Sequence, residues 1–228
     1  MAMAPIGPRS GYLAQIRTEL QRLRAASLSL ASRGVIEKIY EIYILTCLLK
    51  ALRSIGAILE ARDLGDVRTN NLIFRFAPGR IYSPTTPSTF INVTCSGQQY
   101  EVQNGVRARG RSNVLHELDV CIIDKDEAVK CRALQVDPSQ SKIHALVECK
   151  FYGDRLTLSL GREFIGLHSE FSTAVKAIVS NISHKEIPRL LHTHRAMPLF
   201  DIRPSSHVRE QELVGWFSNE LRRRFHIP

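Results

Sequence analysis

Residues 35–60, VIEKIYEIYILTCLLKALRSIGAILE, would place apolar side chains on nearly every side of a helix. A helix of that kind is stable only when other layers cover it, so it belongs at the centre of the molecule. Glu37, Lys38, Glu41, Lys50 and Arg53 interrupt the apolar run. Those charges argue for a buried helix of a soluble protein and against a membrane span. The opening residues, MAMAPIGPRSGYLAQIR, contain no apolar run of signal-peptide type. A cytoplasmic protein with no membrane partner is the expectation. The cysteines agree with it. There are five, an odd number, with no CxxC pair, and Cys47, Cys121 and Cys149 sit among aliphatic residues as buried thiols do.

Around the central helix the pattern changes several times. Residues 11–31 repeat Leu13, Ile16, Leu20 and Leu23 at helical spacing, and Gly34 is placed to end that helix. After Gly65-Asp66, a turn, comes a β-rich half. NLIFRF (71–76), TFINVTC (89–95) and QYEVQ (99–103) have strand composition, and the Pro-rich 77–88 reads as a surface loop. Asn104-Gly105 carries the signal of a hairpin turn. HELDVCIID (116–124) and KIHALVECKFY (142–152) follow as strands, joined by a polar connector over roughly 125–141. A helix at 159–172, a buried strand at 174–180, a helix at 183–194 and a short strand in MPLFDI come next. Ser205 or Ser206 is placed to cap a last helix at about 207–225, whose terminal Arg222, Arg223 and Arg224 suit the helix dipole. The sum is an α/β fold: a mixed central sheet flanked by helices. It divides into an N-terminal helical extension (1–34), a core domain (35–204) and a C-terminal helix (205–228).

Two of these strands carry charges where apolar residues would be cheaper. Side chains two apart on a strand share a face. Glu148 and Lys150 therefore project together with Cys149 turned away, and Glu117 and Asp119 share a face on the earlier strand. If the two strands pair, Asp119 and Glu148 converge. Adjacent carboxylates repel, and a divalent cation relieves the repulsion. Hard oxygen ligands with positions left for water and phosphate describe a Mg²⁺ site, in which Mn²⁺ is expected to substitute. An ammonium beside it, Lys150, can orient an attacking water or stabilise charge on a pentacoordinate phosphate.

Asp119 followed by Glu148-Cys149-Lys150, on neighbouring strands behind a long helix and ahead of a helix and a strand, resembles the PD-(D/E)XK nuclease superfamily. The resemblance implies a restriction endonuclease-like core of helix, three strands, helix and strand, covering about residues 35–180. It implies a Mg²⁺-dependent deoxyribonuclease that leaves 5′-phosphates, in restriction, defence or repair. Asp119 and Glu148 would be metal ligands and Lys150 a catalytic residue. A first-helix carboxylate completes the metal site in the family; Glu41 is the first candidate and Glu37 the second. Glu163 opens the second helix, which by resemblance helps position phosphate or water. Glu117 and His116 are candidates for supporting the ligands. The chain departs from the family pattern in having Leu118, not proline, before Asp119, and a long gap between the two strands.

The net charge of +9, carried mostly by arginine, suits a polyanionic partner. Arg107, Arg109 and Arg111 alternate just upstream of HELD and are candidates to grip a DNA backbone. RNA as the substrate, and a non-catalytic nucleic-acid-binding module on the same fold, are alternative readings of the same residues. A homodimer would suit cutting both strands of a duplex, and the helices at the two ends are candidates to form that interface or to dock a partner subunit. No Gly-rich phosphate loop, nucleophile elbow or dinucleotide fingerprint occurs, so those enzyme classes lack support.

Overall fold

The computed structural model describes residues 14, 16–18, 27–29, 36–85, 88–153 and 155–227. Its centre is an open mixed sheet of seven strands, flanked by helices. Helix α1 (Ile36–Ser54) is the predicted central helix, and 13 of its 19 residues are buried, all those from Ile39 to Leu52 except Lys50. It is shorter than the sequence pattern suggests. Gly56, with φ +86°, ends it, and Ala57 N–H closes back on Leu52 C=O at 3.0 Å. The rest of the predicted helix becomes an edge strand, β2 (Ile58–Arg62).

Strand β1 (Ser27–Ser29) pairs in parallel with β3 (Asn71–Ile73) as a separate two-stranded sheet. The helix predicted over 11–31 is therefore interrupted at Ser27–Ser29, where two serines weaken helical preference and a ladder is available. Ala14 and residues 16–18 are helical, and Ile16 is fully buried; the remainder of that helix and Gly34 lie outside the described residues. β3 stops at Ile73 rather than Phe76. Beyond it, the side chain of Asn104 plays the neighbouring strand: its Oδ1 accepts Arg75 N–H at 3.3 Å and its Nδ2 donates to Arg75 C=O at 2.8 Å.

β4 (Phe90–Cys95), β5 (Gln98–Arg109), β6 (Leu115–Asp124) and β7 (Ile143–Lys150) form an antiparallel run, followed by β8 (Val175–Ser180) and β9 (Met197–Leu199), both parallel to β7. The order across the sheet is β2-β4-β5-β6-β7-β8-β9. The hairpin turn between β4 and β5 is Ser96-Gly97, both with positive φ, and not Asn104-Gly105. Strand β5 runs straight through Asn104-Gly105. Gly105 there has φ +57°, a value open to glycine at no steric cost.

That glycine marks a change of face. Tyr100 and Val102 pack into the core under α1, whereas Val106 and Ala108, of the same parity, pack into the core on the other side. On β6 the same switch separates Val120 and Ile122 from Leu118. The β5–β6 register keeps counting one to one through this point and brings Gly105 opposite Asp119.

The expected polar connector is also more than a loop. Residues Lys125–Leu134 form helix α2, whose N-cap, Asp124, accepts Glu127 N–H at 3.1 Å. A 3₁₀ turn at Gln140–Lys142 leads into β7. Helices α3 (Leu158–Glu170) and α4 (Ile187–Thr193) cover the second core together with α2. Helix α5 (His207–Phe225) lies against α1 and is bolted to it by a buried carboxylate. Glu210 accepts from Tyr43 Oη at 2.7 Å and from Lys50 Nζ at 2.6 Å. All five cysteines are buried free thiols. Among the described residues, no helix is long and apolar enough to cross a membrane.

Candidate active site

Strands β6 and β7 separate where the charged residues begin. The last laddered pair is Val120 with Val147, and one step further the same register sets Asp119 across from Glu148. A strand that leaves its ladder exposes backbone groups that need partners. Here Asp119 Oδ2 supplies one, accepting Cys149 N–H at 2.8 Å. On its other side β7 is still held, with Glu148 beside Ile178 and Lys150 beside Ser180 of β8. Just past Lys150, the Asn181 amide clamps the chain, accepting Tyr152 N–H and donating to Tyr152 C=O, each at 2.9 Å. The two acidic strand residues thus stand on a backbone fixed from both sides.

The gap opens into a cleft of about 460 Å³, lined by Glu37, Lys38 and Glu41 of α1, Glu117 and Asp119 of β6, and residues 148–153. The structure therefore brings together Asp119, Glu148, Lys150, Glu41 and Glu117 from the sequence candidates. Glu37 is exposed at the same cleft, while Glu41 is 4% exposed. Lys150 Nζ lies 2.6 Å from Glu148 Oε1, so the two charges that share a strand face are paired. Cys149 points the opposite way, into the core under α1.

The electrostatics follow from crowding in a dry place. Burial, and then the charges of Glu148 and Glu41, drive the Asp119 carboxyl well above the usual carboxylate range, against the pull of the Cys149 N–H and Lys150. Burial raises Glu41 to about 7, opposed by the Lys38 ammonium and reinforced by Glu117 and Glu148. For Lys150, burial disfavours the charge, but the Glu148 carboxylate and then Asp119 outweigh it and hold the ammonium above its ordinary pKa.

Among the described residues, no three His, Cys, Asp or Glu side chains stand close enough together to form a ready ligand group. Glu148 is turned onto Lys150, and one oxygen of Asp119 is spent on Cys149 N–H. The donor chemistry nonetheless fits. All the candidate donors are hard carboxylate oxygens, and their mutual repulsion is the penalty a cation removes. Glu41 Oε2 is buried with no hydrogen-bond partner among the described residues, which is costly unless something binds it.

No family model, curated protein or solved structure matches this chain.

The remaining candidates stand apart from the cleft lining. Arg107 is exposed on β5, directly across from Glu117 and so beside the cleft. Arg109 turns to its own hairpin, donating to Asn113 Oδ1 at 3.3 Å and lying 3.9 Å from Asp137. Arg111 is exposed in the β5–β6 turn, where its backbone N–H reaches Glu170 C=O at 3.0 Å. His116 faces α3, 3.6 Å from Glu170 and edge-on to the Phe171 ring. Glu163 is exposed on α3 and does not line the cleft.

One charged cleft residue was not among the site candidates of the sequence. Lys38 Nζ lies 2.8 Å from Glu41 Oε1 and 3.3 Å from Glu117 Oε1. Its spacing of three from Glu41 on a helix is a legible ion-pair signal. Its second partner is not legible, because Glu117 is 79 residues away.

Proposed function

We propose that the chain is a metal-dependent nuclease that hydrolyses DNA phosphodiester bonds, built on a PD-(D/E)XK-like core. The observation that carries this reading is the cleft in which Asp119, Glu148 and Lys150 meet the buried Glu41 of α1. With β2–β4 and the inserted α2 set aside, α1, β5, β6, β7, α3 and β8 follow one another in the helix, three strands, helix and strand order that the resemblance implies, which supports it.

Asp119, Glu148 and Glu41 would hold Mg²⁺, or Mn²⁺ in its place, once Glu148 turns from Lys150. Such an ion lowers the pKa of a bound water and neutralises charge on the phosphate. The chain's own part is positional and electrostatic. Lys150, kept charged by Glu148 and Asp119, orients the attacking water and stabilises the negative charge that builds on the phosphoryl oxygens. The water oxygen would bond to phosphorus as it gives up a proton to solvent, the P–O3′ bond would break, and O3′ would take up a proton from solvent, giving a 5′-phosphate and a 3′-hydroxyl. Arg107, across the ladder from Glu117, would hold the adjacent backbone phosphate.

A non-catalytic nucleic-acid-binding module is the second reading, favoured by the closed Glu148–Lys150 pair. One experiment separates them. Supercoiled plasmid, linear duplex, single-stranded DNA and RNA are each incubated with Mg²⁺, Mn²⁺ or EDTA, beside Lys150→Ala. Metal-dependent cutting that the variant loses supports the nuclease, and the polymer cut names the substrate. Binding in EDTA by gel shift with no cutting under any metal supports the module instead.

A further inference from the structure

The cleft contains five carboxyl side chains and two ammonium groups, and the two lysines occupy different flanks. Lys150 is on Glu148. Lys38 bridges Glu41 and Glu117, a position between two carboxylate oxygens that is chemically a cation site. Glu41 is divided by it. Its Oε1 is taken by Lys38, while its buried Oε2 has no partner among the described residues. Glu41 is 4% exposed and lines the cleft, so that second oxygen is an unpartnered acceptor committed to this place.

Resting on the nuclease reading, we propose that Lys38 is a built-in cation. It fills the Glu41–Glu117 flank, so the cleft takes a single divalent ion on the Asp119–Glu148 side and holds it less tightly than the carboxylates alone would. The ammonium answers the charge of Glu117 and one oxygen of Glu41, and leaves Glu41 Oε2 to face the ion. A second divalent ion would need the oxygens that Lys38 already holds. The direction of the affinity effect follows from charge. Even with the screening of bulk water, a unit positive charge about 5 Å from a divalent ion weakens its binding on the order of tenfold.

The test is a titration of the full chain with Mn²⁺, free ion being followed by electron paramagnetic resonance, in wild type, Lys38→Gln, Lys38→Arg and Asp119→Asn. Circular dichroism checks that each variant is folded. The expected results are one ion bound by wild type and by Lys38→Arg, and that ion lost in Asp119→Asn. Lys38→Gln binds it on the order of tenfold more tightly or takes up a second ion. Equal number and equal or weaker affinity in Lys38→Gln overturns the role of Lys38 while leaving an Asp119-dependent metal site standing. Binding by Lys38→Gln alone, with none by wild type, supports the proposal in its strong form. Wild-type binding that survives Asp119→Asn, or no binding in any folded variant, overturns the metal reading itself and the inference with it.

Discussion

Glu41 couples the stability of the protein to the chemistry of its cleft, and substituting it with glutamine measures that coupling. Its carboxyl is moved from the ordinary 4.5 to about 7, chiefly by burial. The folded chain therefore keeps a proton that the unfolded chain releases between these two values. Because the folded pKa is the higher one, this group favours folding most below pH 4.5, loses that contribution as pH rises towards 7, and offers none above it. The full excursion amounts to about 3 kcal/mol. Glutamine resembles the protonated acid at every pH. Lys38 is not stranded by the change, since it keeps Glu117 at 3.3 Å. In metal-free buffer, urea melts should show Glu41→Gln more stable than wild type at pH 8 by up to about 3 kcal/mol. At pH 4.5 the difference should shrink to less than half that, so that stability falls more steeply with pH in wild type than in the variant, which keeps the slope contributed by the raised Asp119 carboxyl. A variant that is less stable than wild type by the same amount at both pH values would refute the reasoning. It would mean that the Lys38 pair, rather than burial, governs this carboxylate.

Four further outcomes are expected. Lys150→Ala should cut cleavage by at least about 100-fold in a plasmid assay, with a melting curve close to wild type. Gly105→Ala, at φ +57° and with its new Cβ 3.2 Å from Arg75 Cβ, should cost about 1–2 kcal/mol in denaturant melts, and should slow cleavage by disturbing Asp119 across the ladder. Asp124→Ala removes the cap on Glu127 N–H at the start of α2 and should cost about 1 kcal/mol, with cleavage of the remaining folded protein unchanged. Arg107→Ala should weaken DNA binding alike for all sequences and reduce the salt dependence by about one counterion, read by fluorescence anisotropy at several salt concentrations.

The parts of this molecule that were legible in the sequence are those written in local periodicity. The alternation in HELDVCIID and HALVECKFY was enough to set Glu148 with Lys150 and Glu117 with Asp119, and the all-round apolar α1 was recognisable as central. The last helix, His207–Phe225, matches its pattern closely because an amphipathic face and a basic end mark both limits. What failed depended on distant partners. Asn104-Gly105 has the composition of a turn, but Ser96-Gly97 had already reversed the chain, so the second signal was used to switch faces within a strand. Ile58–Arg62 continued a helical pattern and became a strand because β4 offered it a ladder. Helix α2 was readable in principle: Asp124 followed three residues later by Glu127 is a helix-start pattern, obscured by a polar surface. His116 and Glu163 sit on the right elements but face α3 or solvent, and only the packing of the layers decides that.

Asp119 has two duties, and they make different demands on the side chain. As an acceptor for Cys149 N–H it closes the end of a ladder inside the protein; as an acid it would serve the cleft. Asparagine satisfies the first duty without the second, whereas alanine satisfies neither and leaves a buried amide orphaned. The fold therefore allows the charge at position 119 to be lost while the end of the ladder stays closed. On the proposed nuclease reading, a descendant that held nucleic acid without cutting it would keep a hydrogen-bond acceptor at position 119 long after the negative charge had gone.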